Sequence, residues 1–168
     1  MDATKAEPHA TTTERISDRE LLVTRKVDAP ARMVFAAWTR PELVLRWWAP
    51  KSFGITLLSC EIDARTGGSY RYVFGHPAAP EPLVFFGKYT EVVADARLVW
   101  TNEENEEGPI STATFAEKDG GTQVVLHELY PFREALDEAL ASGSTGAWPE
   151  QFIELDALVA DPHVGLAG

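Results

Sequence analysis

The sequence predicts an α+β domain: a curved antiparallel sheet of about seven strands wrapped round one long C-terminal helix, with two short helices after the first strand. Three observations predict it. From Phe53 to Leu129 strand-like runs follow one another with only short, turn-like separators, which suits an antiparallel meander rather than βαβ units. Beyond them Trp148, Phe152, Leu155 and Val159 recur at i, i+4, i+7 and i+11, a single apolar helical stripe. A sheet buries such a stripe by curving round it, and a concave sheet closed by one helix leaves space between the two. Finally, Trp38, Trp47 and Trp48 fall within eleven residues. Large aromatics bury roughly 150–250 Å² each, so that density marks an oversized core or the wall of a pocket.

The elements follow in order. Residues 1–17 are polar, Thr-rich and aperiodic, and are expected to form a disordered N-terminal tail before a single domain over 18–161. Glu20 to Val27 is β-rich and reads as the first strand. Pro30 suits a first helical turn, where its missing N–H is no loss, and Val34 and Trp38 then share one face beside Phe35. That helix ends near Thr39, because the residue before Pro41 avoids the α region. A second short helix over about 41–46 turns Leu43 and Trp47 toward the same interior. Strands are expected at about 53–64, 69–75, 82–93, 97–104, 110–117 and 121–130. Leu58, Cys60 and Ile62 alternate with Ser59, Glu61 and Asp63, and Tyr70, Tyr72 and Phe74 lie on one face opposite Arg71. In the last strand both faces are partly apolar, and its inward side stays open. Phe132 to Ala141 reads as a short helix, Ser142-Gly143-Ser144 as a break, and Pro149 opens the long helix that Asp161-Pro162 closes. Residues 162–168 are expected to form a C-terminal tail.

Composition excludes several classes. The 168 residues suffice for one domain with a sizeable core, and 45% hydrophobic residues is ordinary for a globular protein. No apolar run approaches the roughly 18 residues of a membrane span, and no secretory leader pattern opens the chain. One cysteine, Cys60, forms no internal disulfide and fits a reducing, cytoplasmic location. A net charge of −11 without a basic stripe argues against nucleic acid as a partner.

Several short patterns then occur in register: Ala29-Pro30, Val34-Phe35, Trp38, Pro41-Glu42, Trp47-Trp48-Ala49-Pro50, Asp63-x-Arg65-x-Gly67-Gly68, Gly87-x-Tyr89-x-Glu91-Val92 and Arg97-Leu98-Val99, with Thr112, Phe115 and Gly121-Thr122. Together, over roughly residues 20–159, they resemble the bacterial members of the heat-shock protein 90 ATPase activator homologue family. That family is a branch of the START-like, helix-grip (polyketide cyclase/dehydrase and lipid transport) superfamily. The resemblance implies a helix-grip fold with a ligand-sized cavity under the C-terminal helix. Superfamily branches include lipid, hormone and polyketide binders, cyclases and hydrolases, so the scaffold alone does not set the chemistry.

Candidate site residues are mainly aromatic. Trp38, Trp48, Tyr70, Tyr72, Phe74, Phe85, Tyr89, Trp100, Trp148 and Phe152 are expected as cavity walls, with Cys60 and His127 as further lining residues. Core filling is the plain alternative for any one of them. Glu61, Asp63 and Arg65 read as a solvated face, and Cys60 as a small buried hydrophobe. His127 is the one imidazole expected inside the fold. Gly67-Gly68 reads as a β-turn, since no helix start or lysine follows it as in a phosphate loop. No nucleophile motif stands out and His9, His76, His127 and His163 lack ligand spacing, so no catalytic residue, metal or cofactor is assigned. The leading expectation is a module holding a small apolar or aromatic ligand between sheet and helix. A cyclase- or hydrolase-like enzyme using pocket acids and a histidine, and a module interacting with a chaperone or regulator, are the alternatives; a homodimer is compatible with each.

Overall fold

Strand pairing organises the molecule, whose computed structural model describes residues 10–49, 52, 54–142 and 147–161. In chain order the elements are β1 (Thr12–Arg15), β2 (Glu20–Val27), α1 (Ala31–Thr39), α2 (Pro41–Trp47), β3 (Thr56–Ile62), β4 (Ser69–Gly75), β5 (Leu83–Val93), β6 (Arg97–Thr101), β7 (Ile110–Lys118), β8 (Gly121–Leu129), α3 (Arg133–Ser142) and α4 (Trp148–Ala160). All eight strands form one sheet in the order β1-β2-β8-β7-β6-β5-β4-β3, and every pairing is antiparallel. From β3 to β8 each strand pairs with its sequence neighbour. The one long-range closure is β2 on β8, with Glu20 opposite Leu129 and Val27 opposite Thr122.

The sheet has eight strands where about seven were expected. The addition is β1, whose four residues lie inside the stretch read as tail and pair with β2. All four are exposed, so backbone pairing forms the strand without any apolar pattern to announce it. Residues 1–9 of the expected N-terminal tail, the whole expected C-terminal tail 162–168, and Gly143 and Ser144 of the expected break lie outside the described residues, while Ser142 ends α3.

Period-two burial runs along the central strands. Leu21, Val23, Arg25 and Val27 of β2 turn inward, as do Ser111, Ala113 and Phe115 of β7 and Thr122, Val124, Leu126 and Glu128 of β8. The open question of the β8 face is thereby answered, and it places a glutamate indoors. In β3 the expected phase fails at its start. A register shift between Leu57 and Ser59 buries Leu57 and leaves Leu58 58% exposed. A bulge inserts one residue and so reverses the alternation beyond it.

Helices α1, α2 and α4 cover the inward face, where α4 packs against α1, α2 and β2. Trp148, Gln151, Phe152, Leu155 and Leu158 are its buried residues, close to the expected stripe. Two polar anchors fix it. Buried Arg25 pairs with Asp156, and the Gln151 side-chain amide donates to the Trp48 carbonyl at the end of α2. The turn between β3 and β4 requires its glycines. Gly67 sits at φ +91°, and a Cβ on Gly68 would lie 2.0 Å from the Asp63 carbonyl oxygen.

Candidate functional site

Aromatic rings accumulate where α1, α2 and the start of α4 meet β4, β5 and β6. Trp38 is the hub. Its ring centroid lies 5.2 Å from Trp47, 5.5 Å from Trp48, 6.0 Å from Trp100 and 6.1 Å from Trp148, the last nearly parallel at 13°. Tyr70, Tyr72 and Phe74 continue the cluster along β4, with ring centroids 5.1 Å apart for the first pair and 6.5 Å for the second. Inward positions two apart on one strand put these three on a single face.

The packing leaves two adjoining spaces. The inner one, about 50 Å³, is bordered by Trp38, Trp48, Tyr70, Tyr72, Phe85, Tyr89, Leu98, Trp100 and Asn102. The outer one, about 350 Å³, opens between Phe74, Leu83 and Phe85 on the sheet side and Trp48, Trp148 and Gln151 on the helix side, and also touches Glu104, Glu128 and Tyr130. Trp48, Phe85 and Asn102 belong to both walls, so the two spaces adjoin. The outer volume is at the lower end of the roughly 300–1,000 Å³ of small-molecule sites.

A polar relay runs along one side. The Tyr70 hydroxyl donates to the Thr101 carbonyl at 2.7 Å, and the Asn102 amide donates to the Pro109 carbonyl at 2.6 Å and to Ser111 Oγ at 3.1 Å. Ser111 in turn donates to Glu128 at 3.1 Å, and the Tyr130 hydroxyl reaches the other Glu128 oxygen at 3.5 Å. Burial raises the Glu128 carboxyl above the ordinary carboxylate range, against the lowering effect of those two hydrogen bonds. Burial likewise raises Glu104, which accepts from the Phe86 backbone N–H at 3.3 Å. Tyr70, Tyr72 and Tyr89 are all raised, chiefly by burial, and remain neutral hydrogen-bonding phenols.

Nine of the twelve residues singled out in the sequence border these spaces: Trp38, Trp48, Tyr70, Tyr72, Phe74, Phe85, Tyr89, Trp100 and Trp148. Three are placed elsewhere. Phe152 is fully buried against Trp38 and Trp148, inside the core. Cys60 is half-buried on β3 opposite Tyr72, packed against the core, its thiol pushed up to about 12 by burial and then by Glu61. His127 faces away from the core, since its neighbours Leu126 and Glu128 hold the inward positions, and it hydrogen-bonds Glu20 across the strands at 2.7 Å. Glu61, Asp63 and Arg65 form the solvated face expected of them, with an exposed Arg65–Asp63 ion pair at 2.9 Å. Sequence reasoning missed Asn102, Glu104, Glu128, Tyr130 and Gln151. One signal pointed to two of these: Glu128 and Tyr130 continue the alternation of Thr122, Val124 and Leu126. Among the described residues no cluster of His, Cys, Asp and Glu could hold a metal ion.

An antiparallel sheet with one face covered by helices, the last of them C-terminal, is the START-like, helix-grip class of protein. Residues 28–160 match the model of the family described as "Activator of Hsp90 ATPase homolog 1-like protein", and the chain belongs to that family. Solved structures agree in fold. A Rhodobacter sphaeroides protein superposes with a TM-score of 0.82 at 23% identity, over 89% of this chain and 97% of that one. A Nitrosomonas europaea protein gives 0.78 at 20%, over 87% and 97%. An AHSA1-like protein from Aeromonas hydrophila gives 0.70 at 20%, over 86% and 96%. Comparison with curated proteins finds no match.

Proposed function

We infer that this protein is a binding module for a small, mostly apolar ligand, held between the β4–β6 end of the sheet and the α2–α4 junction. The supporting observation is the aromatic-walled space of about 350 Å³ with a smaller one of about 50 Å³ adjoining it, edged on one side by a relay of hydrogen-bonded polar groups. Apolar walls supply affinity and a few fixed polar groups supply orientation, the usual division in small-molecule sites. The reading does not involve catalysis by Glu61, Asp63 or His127, none of which borders either space among the described residues.

Tryptophan fluorescence provides the test, because Trp38, Trp48, Trp100 and Trp148 border the two spaces. Titration with a panel of fatty alcohols, aromatic compounds and polyketide-like compounds should give saturable quenching by at least one class, with a matching mass shift in native mass spectrometry. Absence of saturable binding across the panel overturns the reading.

A further inference from the structure

The side chains shared by the two spaces, Trp48, Phe85 and Asn102, are held very unequally. Trp48 packs against the rings of Trp38, Trp47, Tyr72 and Trp148 at 5.1–5.8 Å between centroids, and its carbonyl accepts the Gln151 amide. The Asn102 amide is fixed by its bonds to the Pro109 carbonyl and to Ser111. Phe85 has only the Phe74 ring for an aromatic neighbour among the described residues, edge-on at 5.2 Å, and is 40% exposed. Its backbone is pinned, by the pairing with β4 opposite Tyr72 and by the bonds that Phe86 makes to Glu103 and Glu104. The freedom at this position therefore lies in the ring. Side chains open to solvent exchange rotamers within nanoseconds, whereas rings locked among rings in a close-packed interior do not. Beyond Phe85 the inner space ends on a rigid wall, for Tyr89, Leu98 and Trp100 are all buried.

We propose that Phe85 is the specificity-determining residue of this site, a movable partition that sets how long a ligand the site accepts. With its ring against Phe74 it divides the two spaces, and a ligand matched to the outer one binds there alone. Turned toward solvent, the ring joins the spaces and a longer apolar ligand reaches Leu98 and Trp100. Turning it gives up the contact with Phe74 and uncovers apolar area, a cost that each newly buried methylene of the ligand offsets by about fourfold in affinity. This rests on the binding-module reading and adds to it the side chain that governs ligand length.

The n-alkanols from hexanol to dodecanol serve as a ruler, titrated into protein labelled with ¹⁵N and with ¹³C at methyl groups. Trp148 and Leu83 border the outer space alone and report on it, while Trp100 and Leu98 border the inner space alone. In the native protein the shortest alcohols should shift only the outer reporters, with affinity rising about fourfold per methylene. The rise should stall at the chain length that must turn the ring, and resume as the Leu98 and Trp100 signals begin to move. In Phe85→Ala the stall should vanish and the inner reporters should respond to shorter alcohols. Chains just beyond the native stall should there gain about fourfold or more relative to hexanol, the worth of at least one buried methylene. Phe85→Leu should lie between the two and carries the test if the alanine variant does not fold, whereas Leu83→Ala should leave the threshold length unchanged. Inner reporters that respond from hexanol onward in the native protein, or at no chain length, overturn the partition and leave the binding module standing. A threshold unchanged in the Phe85 variants does the same. Silence of all four reporters across the series counts against the module itself, and the proposal falls with it.

Discussion

Truncating Phe152 to alanine separates core from cavity. The side chain is fully buried on α4, against Trp38 at 6.4 Å and Trp148 at 5.8 Å between ring centroids. A buried phenylalanine removes roughly 150 Å² or more from water, which at about 25 cal/mol per Å² comes to about 4 kcal/mol. Rings this tightly set relax little, so the loss falls within the roughly 3–5 kcal/mol typical of such truncations. Phe85→Ala is the counterpart: Phe85 is 40% exposed and borders both spaces, so by the same coefficient its removal should cost about 2 kcal/mol. Urea unfolding followed by tryptophan fluorescence measures both. With a slope of about 2 kcal/mol per molar, Phe152→Ala lowers the midpoint by about 2 M and Phe85→Ala by about 1 M. Ligand affinity should respond in the opposite order, weakening more in Phe85→Ala. A Phe152 cost below about 1.5 kcal/mol would refute the packed-core placement.

Two further outcomes follow from buried titratable groups. Because burial raises the Glu128 carboxyl, its contribution to stability is fully present below the unfolded glutamate pKa of about 4.3 and is lost as pH rises through the folded value. Glu128→Gln mimics the protonated acid, with one oxygen to accept and one group to donate between Ser111 and Tyr130, so its melting temperature should match the native one near pH 4 and exceed it increasingly toward neutral pH; a gap independent of pH defeats this. With its thiol near 12 instead of 9, Cys60 should react with a disulfide reagent at pH 8 about 10²–10³-fold more slowly than in urea-unfolded protein, and comparable rates in the two states rule this out.

How much of this was legible in the sequence depended on what holds each residue in place. Tyr70, Tyr72 and Phe74 were read correctly because their burial follows from strand periodicity alone. The stripe on α4 was legible for the same reason, although it did not distinguish Trp148 beside the cavity from Phe152 one turn deeper. Polar residues on the inward face escaped because their partners are remote in the chain. Arg25 meets Asp156, Thr122 donates to the Ala29 carbonyl, and Glu128 accepts from Ser111. No local pattern encodes such pairs. The β3 bulge hid Leu57 for a related reason, since one extra residue reverses every facing beyond it. His127 was placed inside because its strand is apolar on both faces, and only the β2–β8 register shows which face turns outward.

The pairing of β2 with β8 also dictates an order of events. Hairpins from β3 to β8 join sequence neighbours, so they close over short loops, whereas Glu20 reaches Leu129 only after everything between them has been made. During synthesis β2 therefore leaves the ribosome early and waits for its partner with Leu21, Val23 and Val27 uncovered. A strand in that condition invites other chains to its open edges. The short β1 can fold back on it as a hairpin through Thr12–Thr24 and Arg15–Leu21, occupying one edge with four polar residues while the other stays available to β8. In the finished sheet the same four residues close that side of β2, so the strand that waits longest for its partner ends up paired along both edges.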